Sequence, residues 1–447
     1  MTAAARPDTR FRLGDDQARE LAERFDTPLY VLDEACLRAR ARRFRDAIRA
    51  ADSSAELAYG SKANSTLAVL SLLSSEGCWV DVASEGELRA ALLAGVDSGK
   101  CIAHGSNKTR GEIENAIGAG VGQIVADHFG ELEILGQLCG KTSESNKPDV
   151  LLRLAPGVNP KTHEKIRTGQ SDTKFGFNIG DGSAGRATAR CLELGLPLAG
   201  FHCHVGSQLL DSQAQEAGAE MLARFAIAAA ETHGIRARVL NFGGGLGVRY
   251  ADSDEPVSIE EWCSRVLSAA RRALSGSGLS PTLFVEPGRA LVAECGVTLY
   301  RVGAVKKVPL VDGGKRTYVS VDGGLSDNPR PALYGAPYAV LHISCGPGAE
   351  GRTSVPRTCT VSGKHCESDT LFSDVPLPSD VAAGDLLQVL STGAYGNSMA
   401  SNYNRYPRPA TVLMRETGEP FLAQERERIE SQFERERIPE EWRVNRD

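Results

Sequence analysis

Leu57-Ala-Tyr-Gly-Ser-Lys62-Ala-Asn64 is a short apolar run that ends on a lysine. Runs of this kind begin at Leu57, Trp79, Cys101 and Gln123, at a constant interval of 22 residues. Helix-start signals lie between them. Ser84-Glu-Gly-Glu87 and Thr109-Arg-Gly-Glu112 read as capping boxes, in which a hydroxyl and the carboxylate three residues on satisfy backbone donors that a first turn leaves over. A strand followed by a helix, repeated at one interval, is the βα unit. Further apolar runs at Asp149–Leu154, Leu198–Cys203, Val239–Phe242 and Thr282–Val285 bring the total to eight, which predicts an α/β chain with a (β/α)8 TIM-like barrel.

Polar residues gather at the C-terminal ends of these runs: Lys62, Asp81 with Ser84, His104 with Asn107 and Lys108, and Asp127 with His128. Arg153, His204 with Ser207, the glycines at 243 to 245, and Glu286 with Arg289 complete the set. In a barrel these ends converge on one mouth, the place where barrel enzymes carry their chemistry. The interval from Pro156 to Phe177 is longer than an ordinary βα connection and reads as an inserted loop near that mouth. Lys174-Phe-Gly-Phe177 stands out at its end without an assignable role.

Beyond Ala290 the pattern changes to alternating stretches with turn signals: Val297–Val308, Arg316–Val321, Thr358–Val361 and Leu386–Leu390. The expected division is a barrel over 34–290 and a mostly β second domain formed by 1–33 with 291–420, in which Pro28-Leu-Tyr-Val-Leu32 supplies an early strand. Residues 421–447 form a charged tail, where Gln424-Glu-Arg-Glu-Arg-Ile-Glu430 reads as a solvated helix.

A chain of 447 residues with 41% hydrophobic and 24% charged residues has room for two domains. Its net charge of −6 and the lack of a basic run exclude nucleic acid as a partner. No stretch approaches the roughly 18 apolar residues of a membrane span, and the first ten residues carry no apolar signal, so a cytoplasmic location away from membranes is expected. The eleven cysteines are odd in number and scattered, without a CxxC pair, and read as structural thiols. His202-Cys-His204 places two imidazoles on one strand face with no further ligand nearby in sequence, and no metal is expected.

The residues at the mouth suit a particular chemistry. A lysine delivered to a pocket is exposed to desolvation, which favours the neutral amine able to condense with an aldehyde such as pyridoxal phosphate. Asn241-Phe-Gly-Gly-Gly-Leu-Gly-Val248 lies just past a strand, where glycines let backbone N–H groups crowd an anion. A dinucleotide fingerprint would need glycine where Val248 stands, so a lone phosphate is the better reading, with a glycine-rich turn of no function left open. In Glu286-Pro-Gly-Arg289 a carboxylate can keep a pyridine nitrogen protonated and an arginine can meet a phosphate or carboxylate.

Several motifs in order carry a resemblance over roughly Pro28 to Met414. They are Ala58-Tyr-Gly-Ser-Lys62-Ala-Asn64, His202-Cys-His-Val-Gly-Ser-Gln208, Gly243-Gly-Gly-Leu-Gly247 and Glu286-Pro-Gly-Arg289. Arg330-Pro-Ala-Leu-Tyr334-Gly335, Cys366-Glu-Ser368, and Gly393-Ala-Tyr395-Gly396 followed by Met399-Ala-Ser-Asn-Tyr403 extend it. Together they resemble the fold-type III pyridoxal-phosphate-dependent decarboxylases. The resemblance implies pyridoxal 5'-phosphate held covalently by Lys62, with Glu286 facing the pyridine nitrogen and His204 stacked on the ring. It assigns the phosphate to Ser207, Gly243, Gly244, Gly245, Gly288, Arg289 and Tyr395.

The resemblance further implies a homodimer with shared active sites, in which Cys366 of the second subunit is the proton donor. Glu367 would take the distal ammonium of an amino-acid substrate; Arg289, Arg330, Tyr334 and Tyr395 would bind its distal end. An arginine facing a neutral or cationic tail would be desolvated without a partner, so a distal carboxylate is required. Meso-2,6-diaminopimelate has it, and decarboxylation at its other end yields L-lysine; a carboxylated diamine such as carboxynorspermidine, or racemisation of an amino acid, are the alternatives. Val361-Ser-Gly-Lys-His-Cys366 departs from the family's usual Gly-Pro-Ile before the cysteine, and the glycine usual after Ser368 is absent, which adds His365 beside the proposed acid.

Overall fold

The computed structural model describes residues 10–158, 173–311, 313–346, 354–368 and 370–442. Strand β1 (Leu29–Asp33) precedes the barrel, whose strands are β2 (Glu56–Gly60), β3 (Trp79–Val82), β4 (Cys101–Ala103), β5 (Gln123–Ala126) and β6 (Asp149–Ala155). After the two-residue β7 (Phe177–Asn178) come β8 (Leu198–His202), β9 (Val239–Asn241) and β10 (Thr282–Val285). The order is β5-β4-β3-β2-β10-β9-β8-β6, all parallel, and β5 pairs with β6 to close the ring, while β7 adds to β6. The eight expected strands are all present.

Closure explains why these runs are apolar throughout instead of alternating. One set of side chains, Ala58, Ile102, Val125, Leu151, Ala199, Val239 and Phe284, fills the barrel interior. Their neighbours Leu57, Tyr59, Val80, Val82, Ile124, Val150, Leu152 and Leu240 pack outward under the helices. A strand buried on both faces has no polar side to show. Trp79 meets Phe284 edge-on at 5.2 Å inside the barrel, and truncating Phe284 to alanine is expected to cost about 3–5 kcal/mol by cavity formation.

The helix starts differ in one respect from expectation. Thr109 and Glu112 form the reciprocal box, with hydroxyl and carboxylate each meeting the other's backbone N–H. Ser84 accepts from the Glu87 N–H at 3.2 Å, but the Glu87 carboxylate turns instead to the Ala83 N–H at 2.7 Å and the Ser61 hydroxyl at 3.0 Å. That carboxylate links the second barrel helix to the residue before Lys62.

The second domain is a nine-stranded sheet comprising β1, β11 (Gly296–Pro309), β12 (Lys315–Val321), β13 (Val340–Ile343), β14 (Pro356–Ser362), β15 (Thr370–Pro378), β16 (Leu386–Val389), β17 (Ala410–Met414) and β18 (Pro420–Gln424). β1 lies between β11, antiparallel with Leu29 opposite Leu299, and β17, parallel with Leu29 opposite Ala410. The chain thus lays one strand of this sheet before it builds the barrel.

The charged run after Pro420 is not an α-helix, contrary to the sequence reading. Its first residues form β18, antiparallel to β17, because Phe421 and Leu422 take places opposite Leu413 and Val412. Among the described residues only 3-10 turns follow, at Ile429–Phe433 and Glu440–Trp442. Side-chain bonds hold the run to the sheet: the Arg426 guanidinium donates to the Pro28 carbonyl at 2.8 Å, and Glu427 accepts the Arg408 N–H at 3.1 Å. Most of the 156–177 interval, residues 159–172, lies outside the described residues.

Candidate active site

Lys62 sits on a single 3-10 turn, Ser61–Ala63, just past the end of β2. Its Nζ lies 3.4 Å from Asp81 Oδ2 at the end of β3. The Asp81 charge raises the lysine above its ordinary range and outweighs the opposing effect of burial. This corrects the expectation of a lysine stripped of its proton by desolvation. The side chain keeps half its exposure because it reaches into an open cavity of about 360 Å³.

Glu286 follows directly after β10, on the other wall of that cavity. Its carboxylate accepts from Asn241 Nδ2 at 2.6 Å, His104 Nε2 at 3.0 Å and His202 Nε2 at 3.3 Å. Burial works against its charge, yet His104 and His202 hold it well below the usual carboxylate range. His202 is itself pushed down to about 4 by burial, with His104 and Arg153 adding to the effect. The His202–Glu286 contact is therefore a neutral imidazole donating to a carboxylate, with the charge on Glu286 alone. His202 does not pair with His204 as a metal fragment; its ring packs edge-on against His104 at 4.8 Å. Ligand atoms of His104, His202 and Glu286 lie within 4.8 Å of one another, a spacing that the hydrogen bonds to the carboxylate account for.

The glycine turn follows β9. A Cβ on Gly244 would stand 2.4 Å from the Glu286 carbonyl oxygen, and one on Gly245 would stand 2.6 Å from that of Gly206. No side chain fits there, and the bare backbone of Gly244 and Gly245 faces the cavity. Gly243, expected in the same cradle, does not line it: its N–H goes to Asn241 Oδ1 at 2.9 Å. Gly288 lines the cavity and passes so close to β2 that its Cβ would be 2.8 Å from the Gly60 carbonyl. His204 Nδ1 accepts the Gly244 N–H at 3.2 Å. Burial, with the charges of Lys62 and Arg153, holds this imidazole well below its ordinary range, so it is neutral.

A second cavity of about 380 Å³ adjoins the first and shares His204, Ser207, Arg289 and Tyr395 with it. Arg289 donates to the Tyr250 hydroxyl at 2.6 Å and to Ser207 Oγ at 3.1 Å, with its guanidinium 4.6 Å from the Tyr395 ring centroid. Arg330 donates to the Tyr338 hydroxyl and lies 4.6 Å from the Tyr250 ring centroid. Aromatic faces and phenols thus hold two buried guanidiniums, and among the described residues no carboxylate is bonded to either, a weakly hydrated arrangement open to an anion. Tyr334 lines the same cavity.

Cys366 and Glu367 lie apart from the other expected site residues. Both are exposed and line neither cavity. The Cys366 N–H donates to Asn404 Oδ1 at 3.3 Å, and Glu367 accepts from the Tyr403 hydroxyl.

Sequence reasoning placed Asp81, His104 and Arg153 at the mouth but gave them no role, and it did not single out Asn241, Tyr250 or Tyr338. Strand-end position was the available signal for the first three; the tyrosines sit beyond it. Lys174-Phe-Gly-Phe177 also gains a place. Phe175 lines the cofactor-side cavity with the Arg153 guanidinium 4.3 Å from its ring centroid, and Gly176 takes a φ of 71°.

A pyridine ring carrying an aldehyde and a phosphate fits this cavity: an ionised carboxylate on one wall, an amine on another, and a backbone cradle that any side chain would fill. Fold and site together define a barrel enzyme of the pyridoxal-dependent class, and residues 34–293 match the pyridoxal-dependent decarboxylase family in its pyridoxal binding domain. Pyridoxal 5'-phosphate is the cofactor. The chain belongs to the diaminopimelate decarboxylase family of these enzymes. It is 43% identical to diaminopimelate decarboxylase of Bacillus subtilis (strain 168), covering 94% of this chain and 93% of the relative. The solved diaminopimelate decarboxylase of M. jannaschii in complex with L-lysine is 33% identical, with a TM-score of 0.87 and 97% of each chain covered. That of Helicobacter pylori, also complexed with L-lysine, is 30% identical with a TM-score of 0.81, covering 93% of this chain and 98% of that one.

Proposed function

We propose that this chain decarboxylates meso-2,6-diaminopimelate to L-lysine and carbon dioxide, the last step of lysine biosynthesis. The observation that carries this reading is the pair of buried guanidiniums, Arg289 and Arg330, facing a cavity next to the one that holds Lys62 and Glu286. A substrate reaching from one cavity to the other needs an anionic far end. Relatives bearing this activity in their names match nearly the whole chain.

Pyridoxal phosphate, when bound, supplies an electron sink for the pair left behind as carbon dioxide departs. Lys62 would hold it covalently. Glu286, kept ionised by three donors, would face the pyridine nitrogen and keep a proton there. Neutral His204 would stack on the ring without adding a positive charge that would compete with that proton. Ser207, the backbone of Gly244, Gly245 and Gly288, Arg289 and Tyr395 would hold the phosphate, with Gly243 shaping the turn that presents its neighbours. Arg289, Arg330, Tyr334 and Tyr395 bind the distal end of the substrate.

Cys366 and Glu367 act across a homodimer: Cys366 delivers the proton to the carbon that lost its carboxyl, and Glu367 accepts the distal ammonium. Their exposure and distance from both cavities of their own chain support this. All eleven cysteines are free thiols, which supports a reducing, cytoplasmic compartment. Among the described residues no helix is long and apolar enough to cross a membrane.

The test is carbon dioxide release and lysine formation by the purified protein with pyridoxal phosphate, offering meso-diaminopimelate, L-ornithine, L-arginine and carboxynorspermidine separately. Turnover of diaminopimelate alone is expected; turnover of another substrate instead would overturn the distal assignment.

A further inference from the structure

His365 stands between two exposed or solvent-facing neighbours and the residues that bind them, yet it is only 7% exposed. Its Nε2 accepts the Ser326 N–H at 3.3 Å. Its ring stacks on Tyr403, with centroids 5.8 Å apart and planes at 14°, and meets Tyr406 edge-on at 5.0 Å. Both tyrosines return to the same loop: Tyr403 donates to Glu367 and Tyr406 to the Lys364 carbonyl at 3.3 Å. The Lys364 N–H donates to the Gly323 carbonyl at 3.0 Å, and Cys366 is tied through its own N–H to Asn404. Ser326 lies four residues before Arg330, in the segment that leads to the distal cavity.

We infer that His365 is the positioning residue that docks the Cys366–Glu367 loop onto the Ser326 segment and the Tyr403–Tyr406 turn. The inference rests on the proposed role of that loop in the partner's active site. Three features of the ring act together. Burial of an imidazole between two exposed residues pins a loop that otherwise contacts the sheet through backbone and Tyr hydroxyls. Acceptance of a backbone N–H at Nε2 sets the ring orientation and places the proton on Nδ1. Stacking on Tyr403 aligns the phenol that holds Glu367. A proton donor must reach its target within hydrogen-bond distance, and a displacement of about 1 Å can cost about 10²-fold in rate.

The experiment uses full-length holoenzyme. His365→Ala is expected to lower kcat by about 10²-fold, and His365→Gln, which keeps an acceptor near the Nε2 position, is expected to recover much of that loss. A merely stabilising side chain would not predict rescue in trans. Co-expressed with a Lys62→Ala chain, the His365→Ala chain forms heterodimers in which one site combines an intact Lys62 with an intact loop from the other subunit. For random pairing of a two-fold dimer this restores about one quarter of the sites. A parallel mixture of Lys62→Ala with Cys366→Ala reports on site sharing itself. Recovery in both mixtures supports the inference. Recovery with Cys366→Ala but not with His365→Ala would place the His365 effect within its own barrel and overturn it. Recovery in neither would sink the shared-site reading and the inference with it. Full activity of His365→Ala alone would also overturn it.

Discussion

The backbone N–H of Tyr395 donates to the Ala63 carbonyl at 2.8 Å, fastening the β domain to the turn that carries Lys62. Asn64 completes the joint by donating from Nδ2 to the Gly393 carbonyl at 3.0 Å. Tyr395 adopts a φ of 58°, an uncommon conformation for a bulky side chain, and surrounding contacts must hold it there. The same residue presents its ring to Arg289 in both cavities. The site is thus assembled from two domains.

Asp81→Asn removes the charge that keeps Lys62 protonated. The lysine then falls back toward its ordinary range, more of it is neutral at a given alkaline pH, and covalent uptake of pyridoxal phosphate by the apoprotein moves to lower pH. The visible band formed on adding cofactor across a pH series measures this. A profile matching the wild type would mean that Asp81 does not set the charge of Lys62.

His202 titrates at about 4 when folded, below its unfolded value, so between about pH 6.5 and 4 the unfolded chain takes up a proton that the folded one does not. Stability tied to this group is present above pH 6.5 and is lost as pH falls, by about 3 kcal/mol at the acid end of that window. His202→Gln should therefore flatten the pH dependence of unfolding in this range, read from denaturant midpoints, while lowering stability at neutral pH. An unaltered slope would contradict the buried neutral state.

Gly244→Ala places a Cβ against the Glu286 carbonyl, which is backbone and cannot swing away. A cost of about 1–3 kcal/mol is expected, with weakened cofactor binding. Gly86→Ala, on a helix whose nearest contact would be Ser84 Oγ at 3.7 Å, serves as the control and should be stabilising by about 0.5–1 kcal/mol. Thermal unfolding of apo and cofactor-loaded forms separates the two effects; equal behaviour of both variants would count against the cradle.

Arg330→Lys keeps a charge but loses the planar group stacked on Tyr250 and bonded to Tyr338. Removal of a charged hydrogen bond worth about 1.5–3 kcal/mol should raise KM for diaminopimelate about 10- to 100-fold, with a smaller effect on kcat. Steady-state kinetics decide it, and an unchanged KM would remove Arg330 from the distal site.

Periodicity and chemistry at strand ends made the barrel, the early β strand and the cluster of polar residues at the barrel mouth legible in the sequence. These are local signals: a strand buried on both faces must be apolar along its length, and a residue at its C-terminal end must reach the mouth. Strand-end position alone puts Lys62, Glu286 and Arg289 at the mouth; Arg330, on a short helix beyond the barrel, entered only through the resemblance. The partner of each charge does not follow from position. Lys62 is an ammonium because closure puts β3 beside β2 and brings Asp81 within 3.4 Å. Glu286 stays ionised because His104, 182 residues away in sequence, arrives from the far side of the ring. The tail became a strand because β17 offered an open edge to Phe421 and Leu422, a long-range pairing that outweighed the helical charge pattern. Sequence determined which side chains point to the mouth; only the closed barrel and the sheet docked against it decided which charges meet, because electrostatic partnership depends on distance in space and not along the chain.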